Sequence, residues 1–130
     1  MNAVDASAPR RGRPAAASRA DVLERALDRY LHGHRIDVQA LAAELGLGRT
    51  TIYRWFGSRE RLVGEVLVLA AEPILDHACA RATGLGAKGL LDTFDRINRE
   101  LAAAPALRAF LAYERDALRI ITSSSGVVPN

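Results

Sequence analysis

Apolar residues recur at helical spacing along most of the chain, and the pattern predicts a succession of helices with no segment of strand character. After Ser18, the residues Val22, Leu23, Ala26, Leu27, Tyr30 and Leu31 share one face. Ser18 suits an N-cap, with Asp21 placed to return the bond as in a capping box, and Gly33 ends this first helix. Asp37 caps a short second helix with Val38, Leu41, Ala42 and Leu45 inward; Gly46-Leu47-Gly48 then turns the chain. A third helix runs from Arg49 and buries Ile52 and Phe56. Past Gly57, Ser58 caps a fourth, carrying Leu62, Val63, Val66, Leu67 and Ala70. Pro73 is expected to end that helix and open a fifth over roughly 73–82. Gly84, Gly86 and Gly89 read as a loop before a sixth helix with Leu90, Leu91, Phe94, Ile97 and Leu101 inward and Asp92–Arg96 and Asp95–Arg99 as outer pairs. Pro105 opens a seventh, with Leu107, Phe110, Leu111, Leu118 and Ile121 on one stripe, and the chain frays from Ser123.

Charge adds a direction to this picture. Residues 1–61 hold eleven arginines and seven acids, a net +4, whereas residues 62–130 hold seven bases and eight acids, a net −1. A basic front suits a polyanionic partner. Residues 1–17 lack any apolar period and read as a disordered basic arm. One cysteine, Cys79, excludes an internal disulfide framework; its plain reading is a small buried apolar residue. No apolar run reaches the roughly 18 residues a membrane span requires, and the basic start is not followed by a signal-type apolar stretch. The expected location is the cytoplasm, with no membrane partner.

The informative segment is Asp37 to Arg61. Two short helices joined by a three-residue glycine turn meet at a steep angle, as in a helix-turn-helix. With the apolar residues turned inward, Arg49, Thr50, Tyr53 and Arg54 face outward from the third helix. Arginine bonds guanine through two donors, threonine offers a hydroxyl or methyl to a base, and tyrosine and threonine hydroxyls reach phosphates. That surface suits a major groove.

The run Thr51-Ile52-Tyr53-Arg54-Trp55-Phe56, a short break and then a basic residue opening helix four resembles the DNA-binding domain of the TetR family of transcription regulators. The resemblance is specific over about residues 19–70. It implies that Arg49, Thr50 and Tyr53 face the groove, that Thr51, Trp55 and Arg59 sit near phosphates, and that Gln39 is a second base-reading position. Gly48 stands where the family usually has serine, which weakens the third N-cap, and Trp55 stands where histidine is frequent. The Tyr53–Glu60 run, with Phe110 to Thr122, is similar to an actinobacterial branch, some members of which govern quorum-signal (acyl-lactone) degradation. The implied architecture is all-α: a disordered arm (1–17), a three-helix DNA-binding domain (18–58), and a partial helical effector and dimerisation domain (59–130) linked through helix four.

In the arm, Arg11-Gly12-Arg13-Pro14 matches an AT-hook core, where Arg-Gly-Arg lies in a narrow minor groove; a solubilising tail is the plainer alternative. In the rear half, Glu114, Asn98, Phe94 and Phe110 are candidate effector contacts, since a few polar groups on apolar walls are what small-molecule pockets need. Glu114 and Asn98 equally suit pairing with another helix or backbone group. The family implies a homodimer built on two further long helices, and the sequence stops near where these should begin. A truncated form, another dimer contact or no dimer all remain open.

Other signals point to ordinary structure. Gly84–Gly89 fits G-x-G-x-x-G, but what precedes it is helical rather than a strand, so no dinucleotide site is expected. His32 and His34 have no third ligand at metal spacing, and no metal or cofactor is expected. Glu114 and Asp116 lie two apart on the expected seventh helix, hence on different faces, and no nucleophile–base set stands out, so no enzyme is expected. The expected function is a ligand-responsive regulator, of the repressor kind, on double-stranded operator DNA. A constitutive or nucleoid-type DNA binder without effector is the alternative.

Overall fold

The computed structural model describes residues 17–82, 84 and 86–124. Arg11, Arg13 and the rest of the proposed basic arm lie outside these, as do residues 125–130. The described chain holds seven helices and no strand: α1 (Arg19–Leu31), α2 (Val38–Leu45), α3 (Arg49–Phe56), α4 (Arg59–Ala80), α5 (Gly86–Ala103), α6 (Pro105–Tyr113) and α7 (Ala117–Ser124).

The first three helices begin and end where their sequence signals lie. Ser18 and Asp21 form the full capping box: the Asp21 amide donates to Ser18 Oγ at 3.2 Å and the Ser18 amide to Asp21 Oδ2 at 2.8 Å. The Ser18 backbone bond, then its hydroxyl, holds the Asp21 carboxyl below the usual aspartate value. Asp37 caps α2 through the Gln39 amide at 2.9 Å. Gly46 follows α2 at φ +68°, where a side chain would be strained, and Leu47 donates back to the Ala42 carbonyl. Gly48 precedes α3 with no side-chain cap, as its lack of a side chain requires.

Helix α4 is the hub of the molecule, packing on α1 and α3 on one side and on α5 and α7 on the other. One continuous core runs through both halves: Val22, Ala26 and Tyr30 of α1, Leu41 and Ile52 of the next two helices, Leu62, Val63 and Val66 of α4, then Phe110 and Ile120. Phe110 is fully buried and meets Tyr30 and Tyr113 edge-on, with ring centroids 6.0 and 5.8 Å away.

Three expectations for the rear half are corrected. First, α4 does not end at Pro73 but runs through it, so the expected fourth and fifth helices are one helix of 22 residues. Pro73 is exposed, and packing of α4 against four other helices outweighs the loss of one backbone bond. Second, the expected seventh helix is two, because Glu114 leaves α6 in an extended conformation (φ −98°, ψ 109°) with its carboxylate turned inward. Third, α5 begins at Gly86 rather than after Gly89, and of its expected inward residues only Ile97 and Leu101 are turned in. Gly89 is the buried position, with Thr93, Ile97 and Leu101 half-buried beyond it. Leu90, Leu91 and Phe94 are exposed, Leu91 to 65%. Asp95 pairs with Arg99 as expected, whereas no ion pair joins Asp92 to Arg96.

Candidate nucleic-acid interface

Helices α2 and α3 pack on each other and on α1, burying Val38, Leu41, Ala42, Ile52 and Phe56. Because α3 is only eight residues long, burying Ile52 and Phe56 commits one narrow stripe and leaves the rest of its circumference to solvent. Arg49, Thr50, Tyr53 and Arg54 are all exposed there, and Gln39 is exposed at the first turn of α2. Thr51 is half-buried at the edge of this surface. Trp55 is half-buried as well, packed against the core, and its carbonyl accepts from Arg19 Nε at 3.3 Å.

The arginines of this end divide into two sets. Arg19 lies 4.2 Å over the Phe56 ring and pairs with Glu65 at 2.6 Å. Arg25 and Arg29 share Glu44, at 3.0 and 3.3 Å. Arg59 pairs with Glu114. Arg35, Arg49, Arg54 and Arg61 are exposed and make no ion pair among the described residues. Glu44 and Glu65 are thus taken up by arginines of α1, while Arg49 and Arg54 of α3 are left without an acidic partner among the described residues. Arg61, on the first turn of α4 with its chain against Gly57, belongs to that set although the sequence pattern did not single it out. Its signal was present: it is the second basic residue after the Ser58 cap.

Among solved structures, the chain is similar to the R. erythropolis transcriptional repressor QsdR from the TetR family. The two superpose with a TM-score of 0.75 at 32% sequence identity. The match takes in 85% of this chain and 62% of that one. The chain has the all-helical fold of a TetR-family regulator. No family model matches its sequence, and no curated protein does. The chain spans 62% of the length of the repressor, a little under two thirds. The TetR-type helix-turn-helix is the α2–α3 pair, and α4 joins it to the rear helices.

Arg59, expected near a phosphate, and Glu114, a candidate effector contact, are turned toward each other. The Arg59 side chain is only 18% exposed, and all three of its nitrogens are engaged within the chain. Nη2 and Nη1 donate to Glu114 Oε1 and Oε2 at 2.8 and 3.3 Å, and Nε donates to the Ile36 carbonyl at 2.9 Å. Glu114 is correspondingly an ion-pair partner, 4% exposed, at a break between helices rather than on the stripe of one. Phe94 and Asn98 are exposed on α5, and Phe110 is core. Cys79 is exposed rather than buried.

The rear half does hold a concave site, made by other residues. A largely apolar cavity of about 490 Å³ is lined by Tyr30 and Leu31 of α1, Leu67 and Ile74 of α4, Leu107 of α6 and Ile121 of α7, among others. None of Phe94, Asn98, Phe110 and Glu114 lines it. Sequence periodicity marks such residues as core, and only the fold shows that they fail to close on one another. Burial raises the Tyr30 hydroxyl above the usual tyrosine value, so it stays protonated through the neutral range. Among the described residues no group of three or more His, Cys, Asp or Glu side chains is placed to hold a metal; His32 rests on Asp28 one turn back. No described helix is long and apolar enough to cross a membrane.

Proposed function

We propose that the chain is a ligand-responsive, DNA-binding transcription regulator of the repressor kind that reads operator DNA in the major groove with α3. The observation that carries this reading is the exposed, unpaired set Arg49 and Arg54 beside Thr50 and Tyr53, on a short helix whose opposite side is locked into the core. An α-helix with its side chains is about 10–12 Å across, and a major groove about 12 Å wide admits it. In this reading Arg49, Thr50, Tyr53 and Gln39 meet base edges. Thr51, Arg54 and Trp55 lie toward phosphates with Arg61, and Arg11 and Arg13 of the arm reach the minor groove. Likeness to a TetR-family repressor supports it.

Residues 18–58 form the reading head and residues 59–130 the regulatory part, with an operator of two half-sites engaged by a homodimer. The effector site is the apolar cavity between α1, α4, α5, α6 and α7, which suits a small molecule with few polar groups. Because α1 contributes Tyr30 and Leu31, an occupant touches the head as well as the rear helices.

Affinity for a duplex selected from a random library, against a scrambled duplex of equal length, tests the reading across a salt series. The expected preference is at least about a thousandfold at physiological salt, as for specific regulators. Equal affinity for both duplexes, with binding lost smoothly as salt rises, would identify a nucleoid-type binder instead.

A further inference from the structure

Apart from α4, which packs on α1 and α3, the rear helices bond to the head through one short segment. Tyr113 and Glu114, at the break after α6, reach the loop that leads from α1 into α2. The Tyr113 hydroxyl donates to the His34 carbonyl at 2.9 Å, and Glu114 holds Arg59, whose Nε holds the Ile36 carbonyl. Ile36 is 1% exposed and directly precedes Asp37, the N-cap of α2. Two carbonyls two residues apart, at the entrance to the helix-turn-helix, are therefore tied to the end of α6, His34 directly by Tyr113 and Ile36 through Arg59 by Glu114.

From this arrangement we infer that Glu114 is a positioning residue for DNA reading: acting through Arg59, it sets where α2 and α3 stand. The inference rests on the DNA-binding reading above. A carboxylate 4% exposed and a guanidinium 18% exposed cannot part without leaving a buried charge unpaired, so the pair has one stable geometry. The planar fork fixes direction as well as distance, because both Nη atoms face the carboxylate while Nε faces the carbonyl. Phe110, one turn before Glu114, is wedged between Tyr30 and Tyr113, so α6 cannot turn without moving the tie. The opposite end of α6, at Pro105, Ala106 and Leu107, lines the apolar cavity. One helix thus bears on the cavity at one end and on the reading head at the other.

The variant Glu114→Gln separates this role from the others by the sign of its effect. It removes a negative charge, which on electrostatics alone strengthens binding to DNA. Were Arg59 a phosphate contact that Glu114 merely restrains, the variant would free it and strengthen binding further. The positioning role predicts the reverse. Affinity for the duplex enriched by the wild-type chain falls roughly tenfold, in the range of couplings between separated groups. Affinity for a scrambled duplex does not fall, and melting temperature shows the variant folded at the temperature of measurement. Amide exchange at residues 34–38 is expected to quicken in the same variant.

Selective affinity unchanged or raised would overturn the inference. Should Glu114→Gln not fold, Tyr113→Phe cuts the parallel tie and leaves the buried charges paired. It is expected to lower selective affinity several-fold, a smaller coupling of the same kind, and full selectivity there overturns the inference. A wild-type chain that enriches no duplex would instead defeat the DNA-binding reading, and this inference with it.

Discussion

At the scale of residues, the sharpest lesson lies in how the arginines are used. Sequence does not show which arginines are internally paired: Arg19, Arg25, Arg29 and Arg59 are spent on Glu65, Glu44 and Glu114, whereas Arg35, Arg49, Arg54 and Arg61 make no ion pair among the described residues. The partners lie 15 to 55 positions away, beyond the reach of any local pattern. That is why Arg59 reads as a phosphate contact in sequence and is an internal cation in the fold. Arg59→Ala would strand the Glu114 carboxylate and is expected to cost about 3–5 kcal/mol of stability, measured by urea unfolding. Replacing both members with apolar residues, Arg59→Met with Glu114→Leu, should come within about 1 kcal/mol of wild type or exceed it. Equal losses for the single and double changes would argue against the buried pair. Gly46, at φ +68° with open space where a Cβ would stand, isolates backbone strain from packing. Gly46→Ala should cost about 1 kcal/mol in the same assay, and no loss would mean that the turn does not need the left-handed conformation.

Elements were legible in proportion to how local their causes are. The capping pairs Ser18–Asp21, Asp37–Gln39 and Ser58–Arg61 each lie within three residues, and the starts of α1, α2 and α4 fall where the sequence places them. The later boundaries depend on what the helices meet. Pro73 signals a stop, but α4 carries on because neighbours on both sides hold it. The stripe Leu107–Leu111–Leu118 signals one helix, but the chain breaks at Glu114 because a cation waits across the core. Leu90, Leu91 and Phe94 look like an inward face, but α5 turns Gly89 and Thr93 inward instead. Phe110 is where α6 is fastened to α1. Its truncation, Phe110→Ala, should cost about 3–5 kcal/mol by thermal or urea unfolding, as large aromatic deletions in cores do. A loss under about 1 kcal/mol, the scale of an accommodated swap, would show α6 to be only loosely held.

For the molecule as a whole, charge and fold point the same way: a basic head, a hub helix, and an apolar cavity between α1 and the rear helices. The helix-turn-helix was readable from residues 37–61 alone, because its glycine turn and buried stripe are local. The cavity was not, since its walls come from five helices whose apolar residues look like any other core. The central claim is that α3 reads base edges, and binding to a panel of duplexes tests it most directly. The panel carries the selected duplex and every single base-pair change within it, titrated with wild type and Arg49→Ala. The account predicts that Arg49→Ala loses about 1–3 kcal/mol on the selected duplex and loses discrimination at one base-pair position, the others keeping theirs. If Arg49→Ala weakens binding evenly at every position, or keeps every preference of the wild type, α3 does not read DNA in the register described.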